Sequence, residues 1–187
     1  RTEIIPAYRG VISDRNGEPL AVSTPVDSIW IDPRKLVDQE AVWPKLAKAL
    51  GMPLSRIKSK VRDNSSKGFI YLRRHMSPAS AKTILDLKIS GVYAQREYKR
   101  FYPAAEVSAH LVGFTNIADQ GQEGMELAFN HWLEGEAGSK RVLKDLHQNI
   151  IRDIDQGKKA RSGNELVLSI DLRLQYLAYR ELKSALI

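Results

Sequence analysis

Short apolar runs broken by turn residues open the chain, and longer runs with helical spacing follow. From Ile4 to Val22 the pattern predicts a hairpin. Val11-Ile12 and Leu20-Ala21-Val22 flank Asp14-Arg15-Asn16-Gly17, and Asn-Gly signals a turn because both residues tolerate positive φ. Ser28–Asp32 predicts another strand, closed by Asp32-Pro33. Leu46, Ala47 and Leu50 share a helix face that starts near Pro44 and stops at Gly51. Leu54, Ile57 and Val61 predict a second helix, and Gly68–Leu72 a strand. Ser77-Pro78 is an N-cap with a first-turn proline before the stripe Ala81, Ile84, Leu85, and Gly91 lies beyond its end. Val92–Tyr98 is strand-like and Ala104–Leu111 a short helix. Met125, Ala128, Phe129, Trp132 and Leu133 predict one amphipathic helix ended by Gly135. Arg141–Leu146 and Ile150–Ile154 predict a hairpin around His147-Gln148-Asn149. Gln156–Asn164 is a polar loop and Glu165–Ile170 a strand. Asp171 caps a last helix with Leu174, Leu177, Ala178, Leu182 and Ala185 on one face.

Strands and helices mix without regular βαβ alternation. The expected fold is therefore α+β: an elongated, two-lobed module of short antiparallel strands and helices, without a doubly wound sheet. Residues 33–90 are the candidate helical, basic sub-lobe. The chain opens at Arg1 rather than Met, and its last apolar stripe has no evident partner. Both are expected of a piece of a longer protein cut inside the helix that runs from Leu172 to Ile187.

Composition adds limits. A chain of 187 residues with 43% hydrophobic and 27% charged residues is long enough, and apolar enough, to bury a core. It contains no cysteine, which excludes disulfides and thiol catalysis. The formal charge of +7 is uneven. Arg56, Lys58, Lys60, Arg62, Lys67, Arg73 and Arg74 cluster between Pro53 and His75 against the single acid Asp63. Such a patch suits an anionic membrane surface or polymer, or simply a solvated helix face. Only Phe69 and Tyr71 accompany it, too few rings to stack single-stranded bases, so nucleic acid is not an expected partner.

A search for chemistry yields little. His75, His110, His131 and His147 are scattered, with no pair at metal-ligand spacing. No Walker loop, G-x-G-x-x-G or G-x-S-x-G occurs, and no cofactor or metal is expected. Ser55-Arg56-Ile57-Lys58 matches the S-x-x-K nucleophile pattern. With 15 Ser and 14 Lys in the chain, about one such match arises by chance. Ser162-Gly163-Asn164 resembles an S-x-N element but lies in the polar loop, and no Lys-Thr-Gly or Lys-Ser-Gly is present.

Three ordered motifs carry a family resemblance. Arg9-Gly10-Val11-Ile12-Ser13-Asp14-Arg15-Asn16-Gly17-Glu18-Pro19-Leu20-Ala21 resembles the RGxxxDRxGxxLA motif of class B penicillin-binding proteins. Arg100-Phe101-Tyr102-Pro103, continuing to Ala109-His110-Leu111-Val112-Gly113, resembles their R-x-Y-P and A-H-x-x-G elements. Gly121-Gln122-Glu123-Gly124-Met125-Glu126 resembles G-x-x-G-x-E. Leu168–Gln175 resembles the strand and helix that lead into the transpeptidase domain. The resemblance covers essentially the whole chain and is closest to the FtsI-type, gammaproteobacterial branch. In one departure, Ala105 stands where the family usually has Gly, which argues against a required positive φ.

The resemblance implies a division-type parent protein with one upstream membrane helix, this module on the periplasmic side of the inner membrane, and a downstream serine D,D-transpeptidase domain. Residues 1–167 would be the non-catalytic pedestal (or dimerisation) module and 168–187 the start of the transpeptidase domain. The implied role is a scaffold that positions the catalytic domain and contacts an FtsW-type glycosyltransferase and an FtsN-type activator. No catalytic residue is expected here. The motif residues Arg9, Gly10, Asp14, Gly17, Arg100, Tyr102, Pro103, Gly124 and Glu126 are candidates for structural or partner-binding roles. Arg9 and Asp14 are candidates for one ion pair, and Arg100 and Glu126 for a second, buried one joining distant segments. Two alternatives remain: an independent serine acyl-enzyme using Ser55, and a basic module that binds an anionic surface.

Overall fold

The computed structural model describes residues 2–144, 150–155 and 157–185. Its elements in chain order are β1 (Thr2–Ile5), β2 (Ile12–Ser13), β3 (Pro19–Ile31), α1 (Pro33–Leu36), α2 (Trp43–Leu50), α3 (Leu54–Arg62), β4 (Ile70–Met76), α4 (Pro78–Leu85), β5 (Val92–Phe101), α5 (Ala105–Val112), α6 (Gly124–Ala128), α7 (Asn130–Leu133), β6 (Gly138–Lys144), β7 (Ile150–Asp155), β8 (Leu166–Val167) and α8 (Leu172–Ala185). The class is α+β, with mixed sheets and no doubly wound core. The chain divides into two units, Arg1–Thr24 with Tyr98–Ile187, and Pro25–Glu97.

In the unit Pro25–Glu97, β3 pairs antiparallel with β4, matching Trp30 to Tyr71 and Ile31 to Ile70. Ile29, Ile31, Leu72 and Met76 pack against Leu36, Trp43, Leu46, Leu50, Ile57, Val61, Ala81 and Ile84 from the helices. Local signals explain where those helices begin and end. Asp32 accepts from Arg34 N at 3.2 Å to cap α1, and Ser77 Oγ accepts from Ser80 N at 3.2 Å to cap α4. Gly51 closes α2 in the left-handed region at φ 60°. The three predicted stripes face this core, except that Leu85 points outward. One boundary differs from expectation. Ser28–Asp32 is not a separate strand, because β3 runs unbroken from Pro19 through Thr24-Pro25 to Ile31. Thr24 and Pro25 are both exposed, so the missing proline N–H leaves no buried group unpaired.

In the other unit, β2 pairs antiparallel with the start of β3 and parallel with β8. Ile12, Leu20, Ala21, Val112 and Leu133 form the core, with Tyr102, Met125, Leu166, Leu168, Ile170 and Leu172 packed on it. The Asp14–Gly17 turn forms as predicted, but only Gly17 takes a positive φ, 85°. Ile4 and Ile5 do not belong to this hairpin: β1 pairs with β6, which pairs in turn with β7. The predicted turn at His147-Gln148-Asn149 lies outside the described residues, as do Gln156 and the last two residues of the predicted final helix. The single helix predicted over 125–133 is two, α6 and α7, broken at Phe129 (φ −110°, ψ 27°), and extended Glu134 rather than Gly135 ends the second. The break separates two burial demands, since Glu126 turns to charged partners and Leu133 to the apolar core.

The inference from Ala105 is also overturned. Its φ is 41°, so the family glycine position keeps its left-handed backbone without a glycine. Pro103 sits at the second position of a turn in which Ala105 N donates to Tyr102 O at 3.1 Å, and that turn feeds α5. A left-handed non-glycine residue costs about 1–2 kcal/mol, and glycine's extra chain entropy costs about 0.5–1 kcal/mol. Ala105→Gly is therefore expected to stabilise the protein by about 0.5–1 kcal/mol, a Tm rise of about 2 °C by calorimetry. A fall in Tm would contradict the assignment of strain to this residue.

Candidate functional site

The first motif enters on the segment before β2, the second at the end of β5 and the third on α6, all in the same unit. They meet around one carboxylate. Glu126, fully buried, takes Arg9 Nε on Oε2 at 2.7 Å and Arg100 Nε on Oε1 at 2.7 Å. Arg9 also donates to Glu126 O at 2.9 Å and Asp119 O at 3.2 Å. Arg100 Nη1 reaches Arg9 O at 3.4 Å and Ser23 Oγ at 3.2 Å. The Arg100–Glu126 pair is the one expected. Contrary to the expectation from sequence, Arg9 does not pair with Asp14 but shares Glu126. Nothing in spacing marks that choice, because the two residues are 117 positions apart.

Asp119 was not singled out from sequence, yet it borders this clamp. It lies in the tight turn between the bridged residues Thr115 and Gly121, with φ 63°. Burial pushes its carboxyl up to about 6, against the pull of Arg9 and Arg100. Among the described residues, Asp119 Oδ1 and Arg100 Nη2 are buried without a hydrogen-bond partner. Tyr102, whose OH accepts from Thr115 N at 2.9 Å, anchors the same turn, and burial raises its phenol pKa.

Two glycines are explained by close backbone approach. A Cβ on Gly10 would lie 1.8 Å from Asn164 O, where Gly10 N also donates to Leu133 O at 2.8 Å. Gly124 opens α6 at φ 58°, and a Cβ there would lie 2.6 Å from Leu111 O. Asp14 serves its own turn and more. Its carboxylate accepts from Asn16 N at 2.8 Å, Glu18 N at 2.9 Å and, across the fold, Leu172 N at 2.9 Å. The Leu172 bond is the main cause of its lowered pKa.

The remaining candidates are not assembled into a site. Ser55 and Lys58 are exposed on α3. In the basic segment, Lys60 donates to Tyr71 O at 2.6 Å and Arg73 to Leu50 O at 2.5 Å. Arg62 pairs with Glu40 at 2.6 Å and Arg74 with Glu97 at 2.7 Å. Four of the seven cations thus serve their own unit. The rings there turn their faces to one another, Trp30 lying 4.8 Å from Phe69 and 4.5 Å from Tyr93. Ser28, His75 and Glu97 also meet, but Ser28 Oγ donates directly to Glu97 while His75 N donates to Ser28 Oγ at 3.2 Å. A nucleophilic relay needs the imidazole between serine and acid. Among the described residues no group of three or more His, Asp or Glu stands where it would hold a metal ion.

The charged motif residues Arg9, Asp14, Arg100 and Glu126 are buried and bonded within the α+β fold, whereas Gly17, Pro103 and Gly124 stand at its surface; such an arrangement defines a structural module. Residues 4–168 match the family described as the penicillin-binding protein dimerisation domain, and the chain belongs to that family. It is 44% identical over 183 residues to a probable peptidoglycan D,D-transpeptidase PbpC of Pseudomonas aeruginosa, covering 98% of this chain and 32% of that protein. It is 43% identical over 190 residues to the peptidoglycan D,D-transpeptidase FtsI of Escherichia coli K12, covering 99% and 32%. The chain therefore spans about a third of these relatives. Its fold is similar to that of a penicillin-binding protein 2 solved in complex with MreC from Helicobacter pylori (TM-score 0.71, 20% identity, 98% of this chain and 38% of that one). It is similar also to that of penicillin-binding protein 2X from Streptococcus thermophilus (TM-score 0.65, 21% identity, 98% and 31%).

Proposed function

We propose that this chain is the pedestal of a longer peptidoglycan D,D-transpeptidase of the division type, and that residues 168–187 lead into its catalytic domain. The carrying observation is the family match together with the share covered: a dimerisation-domain match over residues 4–168, within relatives about three times as long. The exposed apolar residues of α8, Leu174, Leu177 and Leu182, support a continuation that covers them. The clamp on Glu126 supports a shape-holding role for Arg9 and Arg100, since both guanidiniums are spent inside the module. On this reading the parent lies on the periplasmic side of the inner membrane. No helix among the described residues is long and apolar enough to cross a membrane. Protein partners are the module's role. A similar penicillin-binding protein solved with MreC supports partner binding in general; an FtsW-type glycosyltransferase and an FtsN-type activator are the partners proposed here.

Fluorescent penicillin tests the assignment. The chain alone is expected to take no covalent label, whereas the parent protein does. Labelling of the chain that disappears in Ser55→Ala would overturn the pedestal reading in favour of an independent acyl-enzyme.

A further inference from the structure

Helix α8 has no buried residue. Leu174 is 60% and Leu182 67% exposed, so apolar packing along its length does not set its direction. Its entry is tied to the core through Leu168, Ile170 and Leu172, and farther along it lies beside α5, where Tyr179 and Lys183 both hydrogen-bond Glu106. Far along the helix, Lys183 reaches Glu106 at 3.3 Å, but both side chains are more than half exposed, and such pairs are weak.

The strong contacts are polar and concentrated at the first turn. They come from the hairpin tip more than 150 residues earlier. Asp14 Oδ2 accepts from Leu172 N at 2.9 Å, Arg15 N donates to Ile170 O at 3.0 Å, and Leu168 N to Ser13 O at 2.8 Å. Asp171 caps the same turn, accepting from Arg173 N at 3.0 Å. Hydrogen bonds from the Arg173 and Asn16 side chains hold its carboxyl well below the usual carboxylate range. Two carboxylates thus face the positive end of the helix.

We infer that Asp14 is a positioning residue: its carboxylate clasps the first turn of α8 to the β2–β3 hairpin and so sets the direction in which α8 leaves the module. One carboxylate divides its two oxygens between two tasks. Oδ1 holds the turn through Asn16 N and Glu18 N, and Oδ2 holds α8 through Leu172 N while also accepting from Asn16 Nδ2 at 3.2 Å. The backbone bonds of the turn and the remote bond to the helix are therefore separable by chemistry. The value of this for a domain beyond α8 rests on the pedestal reading, but the clasp is a property of this chain and is tested on it.

Asp14→Asn keeps a carbonyl oxygen for Asn16 N and Glu18 N and sets an amide N–H against Leu172 N. Hydrogen exchange on the 187-residue chain is expected to speed up by about tenfold or more over Leu172–Tyr176, the effect of one charge-assisted hydrogen bond, while Ile12 and Ala21 keep their protection. The chain has no cysteine, so Gln122→Cys with Arg180→Cys places a single pair of spin labels. Their distance distribution is expected to broaden or shift in Asp14→Asn. Unchanged α8 exchange and an unchanged distance distribution would overturn the clasp, as would equal loss of protection in hairpin and helix. Failure here would leave the penicillin test untouched, since that test reads only whether the chain is catalytic.

Discussion

Glu126→Gln is expected to destabilise the protein by about 3–5 kcal/mol, because it removes the carboxylate that both buried guanidiniums pair with. Arg9 and Arg100 are 3% and 6% exposed, so neither gains water in compensation without opening the fold. The amide would still accept from one arginine, but its NH2 would face the other. The fall in Tm is expected to be about 10 °C or more. Replacing the whole cluster behaves differently. Arg9→Met, Arg100→Met and Glu126→Leu together remove the desolvation cost along with the attraction, and should recover most of the loss. Denaturant unfolding of the single and triple variants checks both. A single-variant loss below about 1 kcal/mol would mean that the clamp is already open to solvent.

Asp119→Asn is expected to stabilise the protein at pH 8 and to lose that advantage by pH 4. The folded-state pKa of about 6 lies above the ordinary value of 3.8, so the folded protein favours the protonated acid. Stability from this group is intact below about pH 4, falls as pH rises through 6, and is fully lost above it. The shift corresponds to about 1–3 kcal/mol, the lower figure allowing for solvent screening of a partly exposed carboxyl. Asp14, Glu97 and Asp171 have lowered pKa values and act in the opposite sense, losing stability as pH falls. For Glu97, hydrogen bonds from Arg74, Ser28 and Tyr71 outweigh a burial that alone would raise it. Subtracting the wild-type curve from that of Asp119→Asn cancels these groups and leaves the effect of asparagine on a residue at φ 63° as a constant offset, so the change of the difference with pH reports Asp119. A difference that stays constant from pH 4 to pH 8 would refute the buried, unpaired placement of Asp119.

Much of the local structure was legible because its causes are local. Asp32, Ser77 and Asp171 cap the helices they precede, Gly51 ends α2, and Ile57 and Val61 recur at the spacing of one helix face. Where the reading failed, a distant partner decided. The pattern predicts separate strands at Leu20-Ala21-Val22 and Ser28–Asp32, yet β3 runs through Thr24-Pro25 and pairs with β2 at its start and β4 at its end. Ala105 argues against a left-handed backbone, yet the turn begun by Tyr102-Pro103 imposes one. The apolar spacing of 125–133 predicts one helix, yet Glu126 and Leu133 are drawn to different partners.

The family and the α+β class were set by the sequence alone, because the three motifs are contiguous strings whose turns, caps and glycines act within a few positions. Only the tertiary structure decided who pairs with whom. It gave Arg9 to Glu126 rather than Asp14, sent Asp14 to the first turn of α8, and set Asp119 beside the clamp. Charge and hydrogen-bond partners are chosen by proximity in space, and residues more than a hundred positions apart carry no spacing signal of that proximity.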